Sequence, residues 1–171
     1  MSHSLSFRQG VQLLETADII DLGVEATAIR QKIHPGNVVT FVIDRNINYT
    51  NVCTTECRFC AFFRKEGQPD SYLLSKEVVE EKLTETIEAG GTQVMLQGGL
   101  HPALGLGYYT DLLRFIKRNF SITIHSFSPA EILHIARQEG LSLECTLRQL
   151  NEAGLDSLPG GGAEILVDEV R

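Results

Sequence analysis

From residue 38 onward, short apolar runs alternate with longer stretches whose apolar positions recur every three or four residues. The first run is "VVTFVID", 38–44, unbroken and rich in β-branched residues, which predicts a strand covered on both faces. A helix then starts at Ser75, with Val79, Leu83 and Ile87 on one side and Gly90-Gly91 as its stop. "TQVMLQGG", 92–99, is a second strand, and Tyr109, Leu112, Leu113, Ile116 and Phe120 form the stripe of the next helix. "ITIHSF", 122–127, is a third strand that runs into "SPAE". There Ser128 is an N-cap, Pro129 takes the first helical position and Glu131 closes a capping box. A helix over about 142–153, with Leu143, Leu147 and Leu150, ends at Gly154 and leads to a short fourth strand.

This alternation demands parallel strands joined by crossover helices, hence an α/β fold of (β/α) repeats. Both an open doubly wound sheet and a barrel satisfy it. A complete eight-fold barrel takes roughly 250 residues. The 171 residues here stop just after the fourth strand. Either the sheet is open and small or the chain is the N-terminal half of a larger TIM-type barrel, and "EILVDEVR", which ends in mid-pattern, favours the half. Residues 1–37 form a separate helical segment: Ile19, Leu22, Ala26, Ile29 and Ile33 make one stripe, and "HPGN" breaks it. The expected domains are thus 1–37, helical, and 38–171, a partial barrel.

The chemistry is concentrated in "NVCTTECRFCAF", 51–62, which holds Cys53, Cys57 and Cys60, while Cys145 stands alone. A net charge of −7 and the lack of a basic stripe speak against a nucleic acid or an anionic membrane as partner. No apolar run nears the roughly 20 residues needed to cross a bilayer. The N-terminus lacks the pattern of a signal peptide, so a cytoplasmic setting with reduced thiols is expected. Three uses of the thiols remain open. They can be small buried apolar groups, or zinc ligands completed by a distant His or Cys145. They can also hold three irons of a [4Fe–4S] cluster, which leaves the fourth iron open to a small molecule. Their place after a strand fits the third use, because parallel folds keep their chemistry at the C-terminal ends of strands.

Cys-x3-Cys-x2-Cys, with Phe59 just before the last cysteine, resembles the cluster motif of the radical S-adenosylmethionine enzymes. The resemblance implies a TIM-type barrel, a [4Fe–4S] cluster and S-adenosyl-L-methionine as cosubstrate. It also implies a reducing electron donor and a hydrogen-abstracting 5′-deoxyadenosyl radical. It implies Cys53, Cys57 and Cys60 as cluster ligands and Phe59 as a contact to the adenine region. Gln97-Gly98-Gly99 falls where the family holds the cosubstrate's amino group through glycine backbone; the family's usual Glu is replaced by Leu100. "DRNINYTNVC", "GGLHP", "SFSPAEI" and "LPGGGAEIL" are similar to the cyclising branch of the futalosine route to menaquinone, with the aminofutalosine-forming and the deazaflavin-forming enzymes as near relatives. A futalosine-derived nucleoside is then the implied substrate. Glu164 would meet the cosubstrate's ribose, or else stabilise the next helix N-terminus. His101 and His125 are read as hydrogen-bonded structural histidines, and Cys145 as an unliganded thiol. No side chain is singled out as catalytic.

Overall fold

The computed structural model describes residues 5–58, 60–160, 167 and 169, and the chain divides into two compact units, Met1–Phe41 and Val42–Arg171. The first unit holds α1 (Phe7–Thr16) and α2 (Ile19–Ile33). Ser6 opens α1 with a reciprocal capping box to Gln9, and the Asp18 carboxylate accepts the Ile20 N–H to open α2. No residue of either helix is buried, and the expected stripe is left open to solvent, with Ile19 76% and Ile33 65% exposed.

The second unit is built on a three-stranded parallel sheet in the order β1-β2-β3: β1 (Asp44–Asn48), β2 (Gln93–Gln97) and β3 (Thr123–Ile124). Helix α3 (Lys76–Glu88) links β1 to β2, and α4 (Leu106–Asn119) links β2 to β3. Helices α5 (Pro129–Glu139) and α6 (Leu143–Ala153) follow. The register sets Asp44 beside Gln93 and Asn48 beside Gln97, so β1 and β2 end level with each other. Ile47, Val94, Leu96 and Ile124 point from the sheet into a core filled by Val79, Leu83, Tyr109, Leu112, Leu113, Ile116, Ile135 and Leu150. Every one of these is nearly or fully removed from water, at roughly 1.5–3 kcal/mol for each large apolar side chain.

Two strand boundaries depart from expectation. Residues 38–43 are not a strand: pairing begins at Asp44, where β2 supplies a partner, and Val38 and Phe41 are 81% and 82% exposed. Burial in β1 and β2 alternates instead of running unbroken, because helices cover one face of the sheet only. The third strand is also shorter than 122–127. Phe127 turns the chain away with a positive φ of 65°, a conformation that costs a bulky residue about 1–2 kcal/mol. Its fully buried ring repays this by packing edge-on to Tyr49 and Tyr109.

The helix signals fare better. Ser75 caps α3, Ser128 and Glu131 form the capping box of α5, and Gly140 and Gly154 end α5 and α6 in the left-handed conformation. The expected fourth strand begins beside β3, where Ser157 forms a parallel bridge to His125. Its continuation through 161–166 lies outside the described residues, as do Phe59 and Glu164.

Candidate functional site

Because β1 and β2 end level, the chain segments that leave them run side by side. Tyr49 N–H donates to Gln97 O, Gly99 N–H to Thr50 O, and Thr54 N–H to Leu100 O, so "YTNVCT" and "QGGL" form one laced pair. The far side of the cysteine segment is held as well. Arg64 N–H donates to Asn51 O and Cys53 N–H to Arg64 O. Thr50 Oγ1 donates to Tyr72 O at 2.6 Å. The Asn51 side chain donates to Asp70 O and accepts from Tyr72 N–H, both at 2.8 Å. The polar residues of 48–51 thus fix the loop, as their turn chemistry suggests.

A cavity of about 230 Å³ opens where these segments meet, and Cys53, Cys60, Gln97, Gly98 and Gly99 all line it. Phe62, Phe63 and Tyr72 give it an aromatic side, and Glu131 supplies the one carboxylate among the described residues that line it. All three clustered cysteines are half-buried free thiols, and Cys60 N–H donates to Cys57 O. Between them Glu56 takes a positive φ of 51° and pairs with Lys65 at 2.8 Å. Gly98 and Gly99 are required by close approach. A Cβ on Gly98 would overlap the Tyr49 ring, and one on Gly99 would stand 2.7 Å from Cys53 Cβ. The bare backbone of Gly98-Gly99 therefore packs on the Tyr49 ring at one residue and directly against Cys53 at the next, one floor of the cavity.

Glu131 was legible only as a helix cap, yet it reaches further. Its Oε1 accepts the Tyr49 hydroxyl at 2.7 Å and the Gly98 N–H at 3.0 Å, while Oε2 accepts the Ser128 N–H at 2.7 Å. Burial raises its pKa above the ordinary carboxylate value, although all these donors pull the other way. The buried Tyr49 hydroxyl is raised by its own desolvation and by this carboxylate.

The histidines stand apart from the cavity. His101 is 7% exposed, its Nδ1 accepts the Ala103 N–H at 3.1 Å, and burial holds its pKa below the ordinary value. His125 Nδ1 lies 2.6 Å from Ser157 Oγ. Cys145 sits in the first turn of α6, where its N–H donates to the Ser142 cap. A more open depression of about 690 Å³ lies at the opposite end of the strands, beside Thr92, Thr123, Lys117 and Asp156. There Lys117 and Asp156 satisfy each other at 2.6 Å.

Among the described residues, no three His, Cys, Asp or Glu side chains converge on a point where one metal ion could sit. A multi-iron cluster makes no such demand, since each thiolate binds its own iron. Cys53 and Cys60, half-buried at a cavity that Gly98 and Gly99 also line, suit such a group, and Cys57, half-buried too, stands outside that lining.

The sequence model described as "Radical SAM superfamily" matches residues 47–168, the whole of this arrangement. The chain belongs to the radical SAM superfamily. Members of this superfamily are enzymes that use S-adenosylmethionine and a [4Fe–4S] cluster. The chain is 52% identical over 168 residues to cyclic dehypoxanthine futalosine synthase of Halalkalibacterium halodurans, covering 98% of itself and 45% of that protein. It is 43% identical over 176 residues to 5-amino-6-(D-ribitylamino)uracil–L-tyrosine 4-hydroxyphenyl transferase of Cyanothece sp., covering 98% and 46%. It is 49% identical over 137 residues to FO synthase of Mycobacterium leprae, covering 80% and 16%. The chain thus spans less than half the length of these curated relatives. Among solved structures it resembles the FeFe-hydrogenase maturase HydG from Carboxydothermus hydrogenoformans, with a TM-score of 0.60 at 17% identity over 92% of this chain and 44% of that one. The parallel sheet and its helices are accordingly part of the radical SAM barrel fold. No helix among the described residues is long and apolar enough to cross a membrane.

Proposed function

We propose that this chain carries the cofactor-binding part of a radical S-adenosylmethionine cyclase that converts dehypoxanthine futalosine to cyclic dehypoxanthine futalosine in menaquinone biosynthesis. The observation that carries the reading is the shared cavity: Cys53 and Cys60 border the Gly98-Gly99 floor, in a chain 52% identical to a protein of that name. Cys53, Cys57 and Cys60 are its cluster ligands. When bound, the cluster and its cosubstrate supply a 5′-deoxyadenosyl radical, the hydrogen abstractor of the reaction.

The chain's own work is binding and placement. The laced segments 49–54 and 97–100 fix where the thiols stand. Gly98 and Gly99 let their segment pack directly on Tyr49, Val52 and Cys53, where any side chain would clash. Phe62, Phe63 and Tyr72 offer the cavity an aromatic side on which a bound ligand can pack. Phe59 and Glu164 complete this reading as contacts to the cosubstrate's adenine and ribose. The remaining partners are a reducing electron donor and a futalosine-derived nucleoside, in the cytoplasm; neither nucleic acid nor membrane is a partner.

A second reading rests on the relatives matched at 43% and 49% identity, which makes the chain part of an FO synthase-like transferase. Both readings use the same cavity and the same three cysteines, and substrate separates them. The test is anaerobic reconstitution with iron and sulfide, then incubation with a reductant, S-adenosylmethionine and either dehypoxanthine futalosine or 5-amino-6-(D-ribitylamino)uracil with tyrosine. The cyclase reading expects 5′-deoxyadenosine together with a nucleoside product that has lost one abstracted hydrogen atom, one electron and one proton. Turnover only with the uracil and tyrosine pair would move the assignment to the transferase. Zinc in place of iron, or no 5′-deoxyadenosine with either substrate, would contradict both.

A further inference from the structure

The β2–β3 ladder does not stop where the strands stop; side chains continue it. Backbone pairing runs through Thr123 N–H to Thr92 O, His125 N–H to Val94 O and Phe127 N–H to Leu96 O. Beyond Ile124 the carbonyls of the third strand no longer face β2. Leu96 N–H instead donates to Ser126 Oγ at 2.8 Å, and Gly98 N–H donates to Glu131 Oε1 at 3.0 Å. The positive φ of Phe127 swings the chain into α5 and lifts Glu131, one turn on, over the end of β2.

The same oxygen accepts the Tyr49 hydroxyl from the end of β1, and the other accepts Ser128 N–H from the end of β3. One carboxylate, 2% exposed, therefore joins the C-terminal ends of all three described strands. A helix cap needs only the Ser128 bond. The reach to Gly98 and Tyr49 serves something else, and what it fixes is the cavity wall: Gly98 is held between Glu131 and the Tyr49 ring, while Gly99 lies against Cys53.

We propose that Glu131 is a positioning residue of the site, a single buried carboxylate that clamps the Gly98-Gly99 backbone against Tyr49 and so sets the floor beneath Cys53. The role as a clamp follows from the hydrogen bonds alone; its effect on cosubstrate binding rests on the cofactor reading given above.

Two measurements test the clamp separately from that reading. The first is amide hydrogen exchange at Gly98 in the chain without cofactor. Glu131→Gln leaves a single acceptor oxygen, and aiming it at Gly98 and Tyr49 sets the NH2 against the Ser128 N–H, so the variant cannot satisfy all three donors. Glu131→Asp keeps the charge and the reach to Ser128 but is one methylene too short for Gly98. Each is expected to speed Gly98 exchange about tenfold or more, with α4 amides unchanged. Ser75→Ala, which removes an unrelated helix cap, is expected to lower the melting temperature without moving Gly98. The second measurement is the dissociation constant for S-adenosylmethionine in reconstituted protein. It is expected to rise about tenfold in both Glu131 variants at unchanged iron per chain, a difference of about 1.4 kcal/mol.

Gly98 protection equal to the wild type in both variants overturns the proposal. So does a melting-temperature loss like that of Ser75→Ala with exchange and affinity intact. If the Gln variant fails to fold, the Asp variant decides. If wild-type protein binds no cosubstrate, the cofactor reading falls, and Gly98 exchange still decides whether the clamp exists.

Discussion

Gly99 and Cys53 stand back to back across the two segments that leave β1 and β2, so close that a Cβ on the glycine would lie 2.7 Å from the Cβ of the cysteine. The contact is backbone against backbone as well, since the same added atom would press on the Val52 carbonyl. Neither side can yield cheaply. Gly99 N–H is committed to Thr50 O, and Cys53 N–H to Arg64 O.

Gly99→Ala should therefore displace the cysteine segment rather than merely soften it. Iron retained per chain after anaerobic reconstitution is expected to drop severalfold, while far-UV circular dichroism stays near the wild type. Gly107→Ala, in the first turn of α4 with open space around it, is the matched control and should bind iron normally.

The three clustered thiols should not be equivalent to the fourth. Changing any of Cys53, Cys57 or Cys60 to Ser is expected to abolish stable cluster assembly, measured as iron and acid-labile sulfide. Cys145→Ser should leave both unchanged, because Cys145 belongs to the first turn of α6, far along the chain from the clustered thiols.

Asn51 is the pin of the long loop that follows the cysteines. It bonds Asp70 O and Tyr72 N–H, and Asn51→Ala removes both at once. Two such bonds are worth about 1–3 kcal/mol together. Much of that loss should appear locally, as faster limited proteolysis within 64–71 at native temperature.

His101 gives the fold an acid-sensitive point. Its burial lowers its pKa, with Glu66 opposing and His134 assisting, so the unfolded chain takes up the proton before the folded one does. Stability is present above the ordinary value of about 6.5 and is lost as pH falls through it. Protonation would also cancel the acceptor at Nδ1 that the Ala103 N–H uses. His101→Asn can keep an acceptor oxygen there without titrating. The melting temperature of the wild type should fall more steeply than that of the variant between pH 7.5 and 5.5.

Local chemistry was the legible part of this sequence. Ser75, Ser128 with Glu131, and Gly154 announce helix ends because a cap needs only neighbours along the chain. The apolar stripe of α4 is equally plain: Tyr109, Leu112, Leu113 and Ile116 are all buried. The run at 38–43 misleads, since a β-branched run becomes a strand only where another strand meets it, and β2 meets the chain from Asp44 on. The third strand was overdrawn for a related reason: Phe127 reads as strand by type but is turned by the packing of its ring on Tyr49 and Tyr109. In the site, the cysteines declare themselves by their clustering and the glycines only by resemblance to the family's motif, and the structure sets Cys53 and Cys60 on one cavity with Gly98 and Gly99. Glu131 does not declare itself so, because its bonds to Tyr49 and Gly98 span 82 and 33 residues.

The most direct measurement is electron paramagnetic resonance of anaerobically reconstituted, reduced protein before and after S-adenosylmethionine is added. The account predicts the signal of a reduced four-iron cluster, changed in position and shape once the cosubstrate occupies the open iron. A protein that assembles no such cluster, or one whose signal is indifferent to the cosubstrate, would contradict it.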